Sequence, residues 1–235
     1  MRRSKSRGVG KAFEKVMLGG DDEERAGLES VLMSPVRQRL FAFLCRYPGS
    51  PLKTVSVAND ISQSTAAWHL RQLVESGYIN QRNVRNKVTY SPVGLVDEKD
   101  GELLELLNNE AAKKLFLTIL SQPGLSQREL AKMLSTSDQS ILRLVKRMEG
   151  LDLISRTTDG RFVRYFPSDG LKRAKDRNYK RAKEFRKDIL RKLETDGLEP
   201  KVVRQSDTEL MVEIQRSRFK SVLDLSVDPF RTVLE

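Results

Sequence analysis

Ser62-Gln-Ser-Thr-Ala-Ala-Trp-His-Leu-Arg-Gln-Leu-Val-Glu-Ser-Gly77 is the stretch whose reading decides the fold. It opens on short polar residues that cap helices well. Ala66, Leu70 and Leu73 then fall on one helical face, and Trp68, Arg71 and Gln72 fall elsewhere. Gly77 stops the helix, and Tyr78-Ile79 leads into a basic hairpin running to Val93, with Asn83-Val-Arg-Asn-Lys87 at its tip. A one-striped helix, a stop and a β-wing is the order of a winged helix-turn-helix, with 62–77 as its recognition helix.

Upstream, Ser34-Pro35 predicts a helix start, with Ser34 as N-cap and Pro35 at the first position. Val36, Leu40, Phe43 and Leu44 keep helical spacing to Tyr47, and Pro48-Gly49 ends it. A short second helix over 52–60 and a turn at 61–65 complete the unit.

The pattern then repeats. Shifted by 75 positions, the chain aligns with itself without a gap from Leu40 to Pro92. Pro48-Gly49 falls on Pro123-Gly124, Ser62 on Ser137, Leu70 on Val145, Ile79 on Ile154, and Val88-x-Tyr90-x-Pro92 on Val163-x-Tyr165-x-Pro167. Self-similarity of this kind marks two consecutive units of one architecture. In the second copy Ser126-Gln-Arg-Glu129 reads as a capping box, 137–150 as the third helix, and Asp159-Gly160 as a type I′ turn.

The expected organisation is a basic arm and lead-in helix (1–33), a first winged helix (34–94), an acidic linker with a helical lead-in (95–108), a second winged helix (109–168), a basic helix (169–198) and a small β-containing segment (199–235). The fold class is mainly α with small β-wings (α+β). Residues 97–101 read as an acidic loop ahead of the helical 102–107. The arm, with an amphipathic piece at 12–18, reads as a loose tail or as a strand of charge lying along DNA. The acids at 21–24 suit a helix start. The basic helix carries a thin apolar stripe (Leu171, Ala174, Ala182, Phe185, Ile189, Leu193). It reads as packed on the second wing with its charges solvated, or as a phosphate-contacting or dimer helix. In the last segment, 201–205 and 210–215 read as a hairpin around Ser206–Glu209, and 221–225 as a further strand or short helix. That segment is too small for a core of its own and must lean on the basic helix or on a second chain.

Charge narrows the function. The net charge is +11, which points to a polyanionic partner, nucleic acid first. The excess is uneven. Residues 34–94 carry eight basic and two acidic side chains, 95–108 one and five, and 169–198 eleven and six. Binding to a polyanion is therefore not the work of every segment. No apolar run is long enough to span a membrane. One cysteine permits no internal disulfide, which suits a reducing, cytoplasmic compartment. One cysteine and one histidine also rule out the usual zinc ligand sets. No phosphate-cradling glycine loop or catalytic constellation is present, so no enzyme activity and no cofactor are expected. Cys45, among Phe43, Leu44 and Tyr47, reads as a buried structural thiol, and His69 as a packing or hydrogen-bonding residue.

A DNA-binding constellation is present. Ser62, Gln63, Ser64, Thr65, Trp68 and Gln72 are the first helix's exposed positions, and Arg71 reaches guanine or phosphate. Trp68 reads as exposed because the inner stripe is already filled. Arg82, Arg85 and Lys87 crown the first wing. In the second copy Gln139, Ser140, Arg143, Lys146 and Arg147 on the helix, and Arg156, Arg161 and Arg164 on the wing, keep the charge. Asp138 and Leu142 interrupt its polar face, so this copy reads as a backbone binder or a protein contact.

Trp68-His-Leu-Arg-Gln-Leu73 with Gly77-Tyr-Ile79 resembles the recognition helix of ArsR-like regulators, and 130–154 resembles the MarR type. Together, over roughly 35–167, the chain is similar to archaeal tandem winged-helix transcription regulators. That resemblance implies double-stranded DNA as partner, activation or repression of transcription, and contact with general transcription factor B or RNA polymerase. It also implies a homodimer or a pseudo-dimeric monomer. The metal-sensing cysteines of the ArsR group have no counterpart here. A scaffold in a transcription complex is the rival reading, and it would show an apolar patch where this chain shows a cationic helix.

Overall fold

The computed structural model describes residues 30–84 and 87–234. The arm at 1–29, including its amphipathic piece and acidic start, lies outside the described residues, as does Arg85.

The first unit runs α1 (Pro35–Arg46), β1 (Ser50–Pro51), α2 (Leu52–Ala58), α3 (Gln63–Glu75), β2 (Ile79–Val84) and β3 (Lys87–Pro92). The linker holds α4 (Glu98–Leu107). The second unit runs α5 (Glu110–Ser121), β4 (Leu125–Ser126), α6 (Gln127–Met133), α7 (Asp138–Gly150), β5 (Ile154–Asp159) and β6 (Phe162–Pro167). Then come α8 (Gly170–Thr195), the strands β7 (Lys201–Gln205), β8 (Glu209–Arg216) and β9 (Phe219–Ser226), and α9 (Pro229–Leu234).

The 75-residue repeat holds down to strand register. Ile79 pairs with Pro92 and Ile154 with Pro167, and Ser50 faces Tyr90 as Leu125 faces Tyr165. Each wing is a three-stranded sheet in which the short first strand pairs with the last, so the strand orders are β1-β3-β2 and β4-β6-β5.

Local chemistry sets most element ends. The Ser62 hydroxyl accepts from the Thr65 amide at 3.1 Å, and Ser137 accepts from Ser140 at 3.2 Å. Ser126 and Glu129 form the reciprocal capping box. Ser34 precedes α1 but its side chain makes no cap bond. The start of α1 rests instead on Pro35, whose ring presets a helical φ. Gly49 takes a φ of +81° after α1, where a side chain is rarely tolerated, and its amide donates to the Tyr90 carbonyl at 3.0 Å.

Two expectations are corrected. Residues 98–101 are helical rather than a loop, because the Asp97 carboxylate caps α4 by accepting from the Asp100 amide at 2.8 Å. The second wing's turn is Gly160-Arg161, flanked by the pair Asp159↔Phe162. Only Gly160 in it has positive φ, so it is not a type I′ turn, which needs positive φ at both central residues.

The cores cross the chain's segments. One contains Leu40, Phe41, Leu44, Leu70, Leu73 and Tyr78 of the first unit, with Phe185, Ile189 and Leu193 of α8 and Leu210, Val212, Ile214, Leu223 and Leu225 of the C-terminal sheet. Phe41 and Tyr78 meet edge-on in it, with ring centroids 5.6 Å apart. The other contains the inner faces of α4, α5 and α7 together with Ala174 of α8 and Phe230 of α9.

The basic helix therefore does more than cover the second wing. At 26 residues it is roughly 39 Å long, and it straps the two units together. The C-terminal segment is a three-stranded sheet, β7-β8-β9, leaning on α1 and α8. Ser221 bonds Gln38 of α1 at 2.7 Å, and Arg186 donates to the Ser206 carbonyl at 2.7 Å.

The strap begins in a tight place. A Cβ on Gly170 would lie 1.9 Å from the Asp152 carbonyl oxygen, whereas one on Gly150, at the end of α7, would meet nothing. Gly170→Ala should lower stability by about 2 kcal/mol or more because backbone must move. Gly150→Ala should raise it by up to about 1 kcal/mol through helix propensity. Urea unfolding of the two variants should show shifts of opposite sign.

Candidate nucleic-acid interface

The exposed side of α3 is the best-formed polar face. Ala66, Leu70 and Leu73 are spent on the core, which leaves Gln63, Ser64, Trp68 and Arg71 outward. Trp68 is 52 % exposed, as its place off the stripe requires. Ser62 lies within 2.8 Å of both the Ser64 and Thr65 hydroxyls, so the start of the helix is a small hydroxyl cluster. Half-buried Gln72 donates to Glu75 at 3.1 Å, which holds it against its own helix.

Behind Trp68 stands a residue that the sequence pattern does not single out. Arg37 of α1 is largely buried, its Nε donates to the Val31 carbonyl, and its guanidinium lies 6.0 Å from the Trp68 ring centroid. Trp68 also meets His69 edge-on at 4.7 Å. Burial, and then the charge of Arg37, hold the His69 pKa below its ordinary value. His69 is thus a packed neutral ring in α3. The signal that could have found Arg37 is its spacing, three and four positions before Leu40 and Phe41 on the buried face of α1. Cys45 is fully buried, and burial pushes its thiol pKa up, so it is an inert core group.

The wing residues divide. Lys87 is exposed. Arg82 is exposed too, but with Asn80 and Asn83 it lines a groove of about 420 Å³ whose far wall is α4 with Asp97, Glu98 and Glu102.

In the second unit Gln139, Arg143 and Lys146 face outward from α7. Ser140 is half-buried and within 2.9 Å of the Ser137 hydroxyl. Arg147 is turned to the linker, with its guanidinium 3.9 Å from Glu105. Arg156 pairs with Glu149 at 3.3 Å, and Arg164 pairs with Asp159 at 2.6 Å and donates to the Gly124 carbonyl. Arg161 lies over the Phe162 ring, 5.1 Å from its centroid. Leu142 is half-buried against the core. This unit keeps the backbone of the first but spends more of its charge on internal pairs.

Residues 114–161, from α5 to the tip of the second wing, match the family model described as MarR family. The match lies within the second unit. The chain is 27% identical over 143 residues, 61% of its length, to a protein of Methanocaldococcus jannaschii described as the uncharacterized HTH-type transcriptional regulator MJ1398. It spans about a third (36%) of that relative's length. Among solved structures it is similar to MarR, at 24% identity over 40% of this chain and 71% of that one, with a TM-score of 0.28. It is also similar to PcaV of Streptomyces coelicolor, at 19% identity over 56% and 85%, with a TM-score of 0.28. Among the described residues no helix is long and apolar enough to cross a membrane, and no group of acidic, His or Cys side chains could hold a metal ion.

The packed His69 has a measurable signature. Its pKa is depressed in the folded state, so between that value and the unfolded value near 6.5 the unfolded chain binds more protons. The stability it contributes is present above that window and is lost as pH falls through it. His69→Leu, which puts at this position the residue found at its repeat equivalent Leu144, should narrow the difference in urea midpoint between pH 7.5 and 5.5. An unchanged difference would show that His69 is not the group responsible.

Proposed function

We propose that the chain is a sequence-specific, DNA-binding transcription regulator whose two reading units are residues 34–94 and 109–168. The carrying observation is the outward face of α3. It presents hydroxyls, a carboxamide, an exposed tryptophan and Arg71 on a rigid helix whose inner stripe is fully buried. Such a helix fits the major groove, where hydroxyl, amide and guanidinium groups read base edges. The MarR-family match of the second unit and the similarity to an HTH-type regulator support the same reading.

In this reading α3 supplies base contacts, and α7, with Gln139, Arg143 and Lys146 outward, supplies mostly backbone contacts. Duplex DNA is the partner, taken by the tandem units as a pseudo-dimer. General transcription factor B or RNA polymerase is the protein partner that activation would call for. Repression would need neither.

The contrast between solvent-facing and internally paired cations gives the test. Lys87→Ala should weaken binding to all duplexes and reduce the slope of log Kd against log salt by about 1. Arg147→Gln should leave that slope unchanged, because Glu105 already holds the charge. A slope insensitive to Lys87→Ala would remove the first wing from the interface. A selection from random duplexes tests the reading as a whole, and an enriched motif is the expected result.

A further inference from the structure

The first wing has two flanks, and they differ in charge. On one, Arg82 and Asn83 face the acidic helix α4 across a groove whose wall carries Asp97, Glu98 and Glu102. Phosphates are repelled from that side. On the other flank, Lys87 lines a groove of about 870 Å³ together with Ser140 and Arg143 of α7 and Lys114 of α5, with Glu110 as the acid in its wall. Arg147 also lines it, with its charge shared with Glu105. Lys87, at the start of β3, thus stands beside the recognition helix of the second unit.

Close contacts tie the first unit to the linker helix. Gly49, at the base of the first unit's sheet, packs so closely on α4 that a Cβ there would lie 3.3 Å from the Gly101 carbonyl. Asn108 at the end of α4 donates to the Pro48 carbonyl at 3.4 Å. From behind, α8 holds α4 through Arg177 to Asp100 and Arg181 to Asp97, at 2.5 and 2.8 Å.

In a winged helix the recognition helix enters a major groove and the wing reaches the neighbouring backbone or minor groove. Here the neighbour of the first wing is the second recognition helix. We propose that Lys87 of the first wing and Ser140 and Arg143 of α7 form one continuous phosphate-binding surface. One chain then takes a single contiguous stretch of duplex, with α3 and α7 in successive major grooves about 34 Å apart and the first wing across the minor groove between them. This inference rests on the DNA-binding reading and adds to it a shared wing and a fixed spacing.

The test uses the full chain and the duplex it enriches from a random pool. Five or ten base pairs are inserted at the centre of the segment protected from hydroxyl radicals, and Kd is measured at constant salt. Both insertions should weaken binding at least tenfold, because a shared wing cannot follow a second box that has moved away. Retention of affinity within twofold after the ten-base-pair insertion, which restores the same face of the helix, would show independent heads and overturn the proposal. Lys87→Glu, at an exposed position, should abolish protection of the central minor groove. Persistence of that protection would also overturn it. Failure to enrich any duplex would overturn the DNA-binding reading together with this one, whereas an enriched duplex indifferent to insertion overturns this one alone.

Discussion

Asp100 is 1 % exposed, and Arg177 reaches it from a helix 77 residues further along. A carboxylate in that position costs several kcal/mol to desolvate unless a cation meets it. Asp100 in turn holds the Arg177 guanidinium above its usual pKa. Arg181 with Asp97, and Asn178 with the Leu95 carbonyl at 3.1 Å, extend the same seam. The acidic linker and the basic helix are two halves of one requirement, and the orientation of the two winged helices depends on it. It also explains why the basic helix is not simply a second cationic surface: much of its charge facing α4 is already used.

Within that frame the repeat has diverged by surface and kept its backbone. At a spacing of 75, Trp68 corresponds to Arg143, His69 to Leu144, Arg71 to Lys146 and Gln72 to Arg147. The first helix has Arg37, tied by the Val31 carbonyl, at the flank where Trp68 lies. The second helix has the first wing at the equivalent flank. The two copies thus differ in what flanks their third helix, with no change in strand register.

Much of this was readable in the amino-acid order, and the limits have physical causes. Caps at Ser62, Ser126 and Ser137, apolar stripes and the tandem repeat are short-range or periodic signals, so the helices and hairpins of the two winged units followed from them, though not the short strands β1 and β4. Residues 97–101 read as a loop because Asp and Gly are poor helix interior residues. The helix exists there because Asp97 caps it and Leu103, Leu104, Leu106 and Leu107 are buried. Arg147 looked like the other cations of its helix because a sequence shows a charge and not its partner, and Glu105 is 42 positions away. The path of the strap across both cores depends on contacts between residues more than a hundred positions apart, such as Tyr78 with Asp196 at 2.6 Å. No local pattern carries that information.

Phe230 is fully buried, yet the core it completes belongs to the second winged helix, whose last strand ends at Pro167. The first winged helix is likewise closed by strands beginning at Glu209. Neither unit can finish its core as it leaves the ribosome, although domains commonly fold in the order they are made. Leu223, Leu225 and Val227 complete the first core and Phe230 the second, so both keep unfilled apolar surface until the C-terminal sheet and α9 have been made. A chain assembled this way behaves as a single cooperative body during biogenesis, and a ribosome stalled between residues 168 and 209 would hold out two unfinished winged helices to the chaperones.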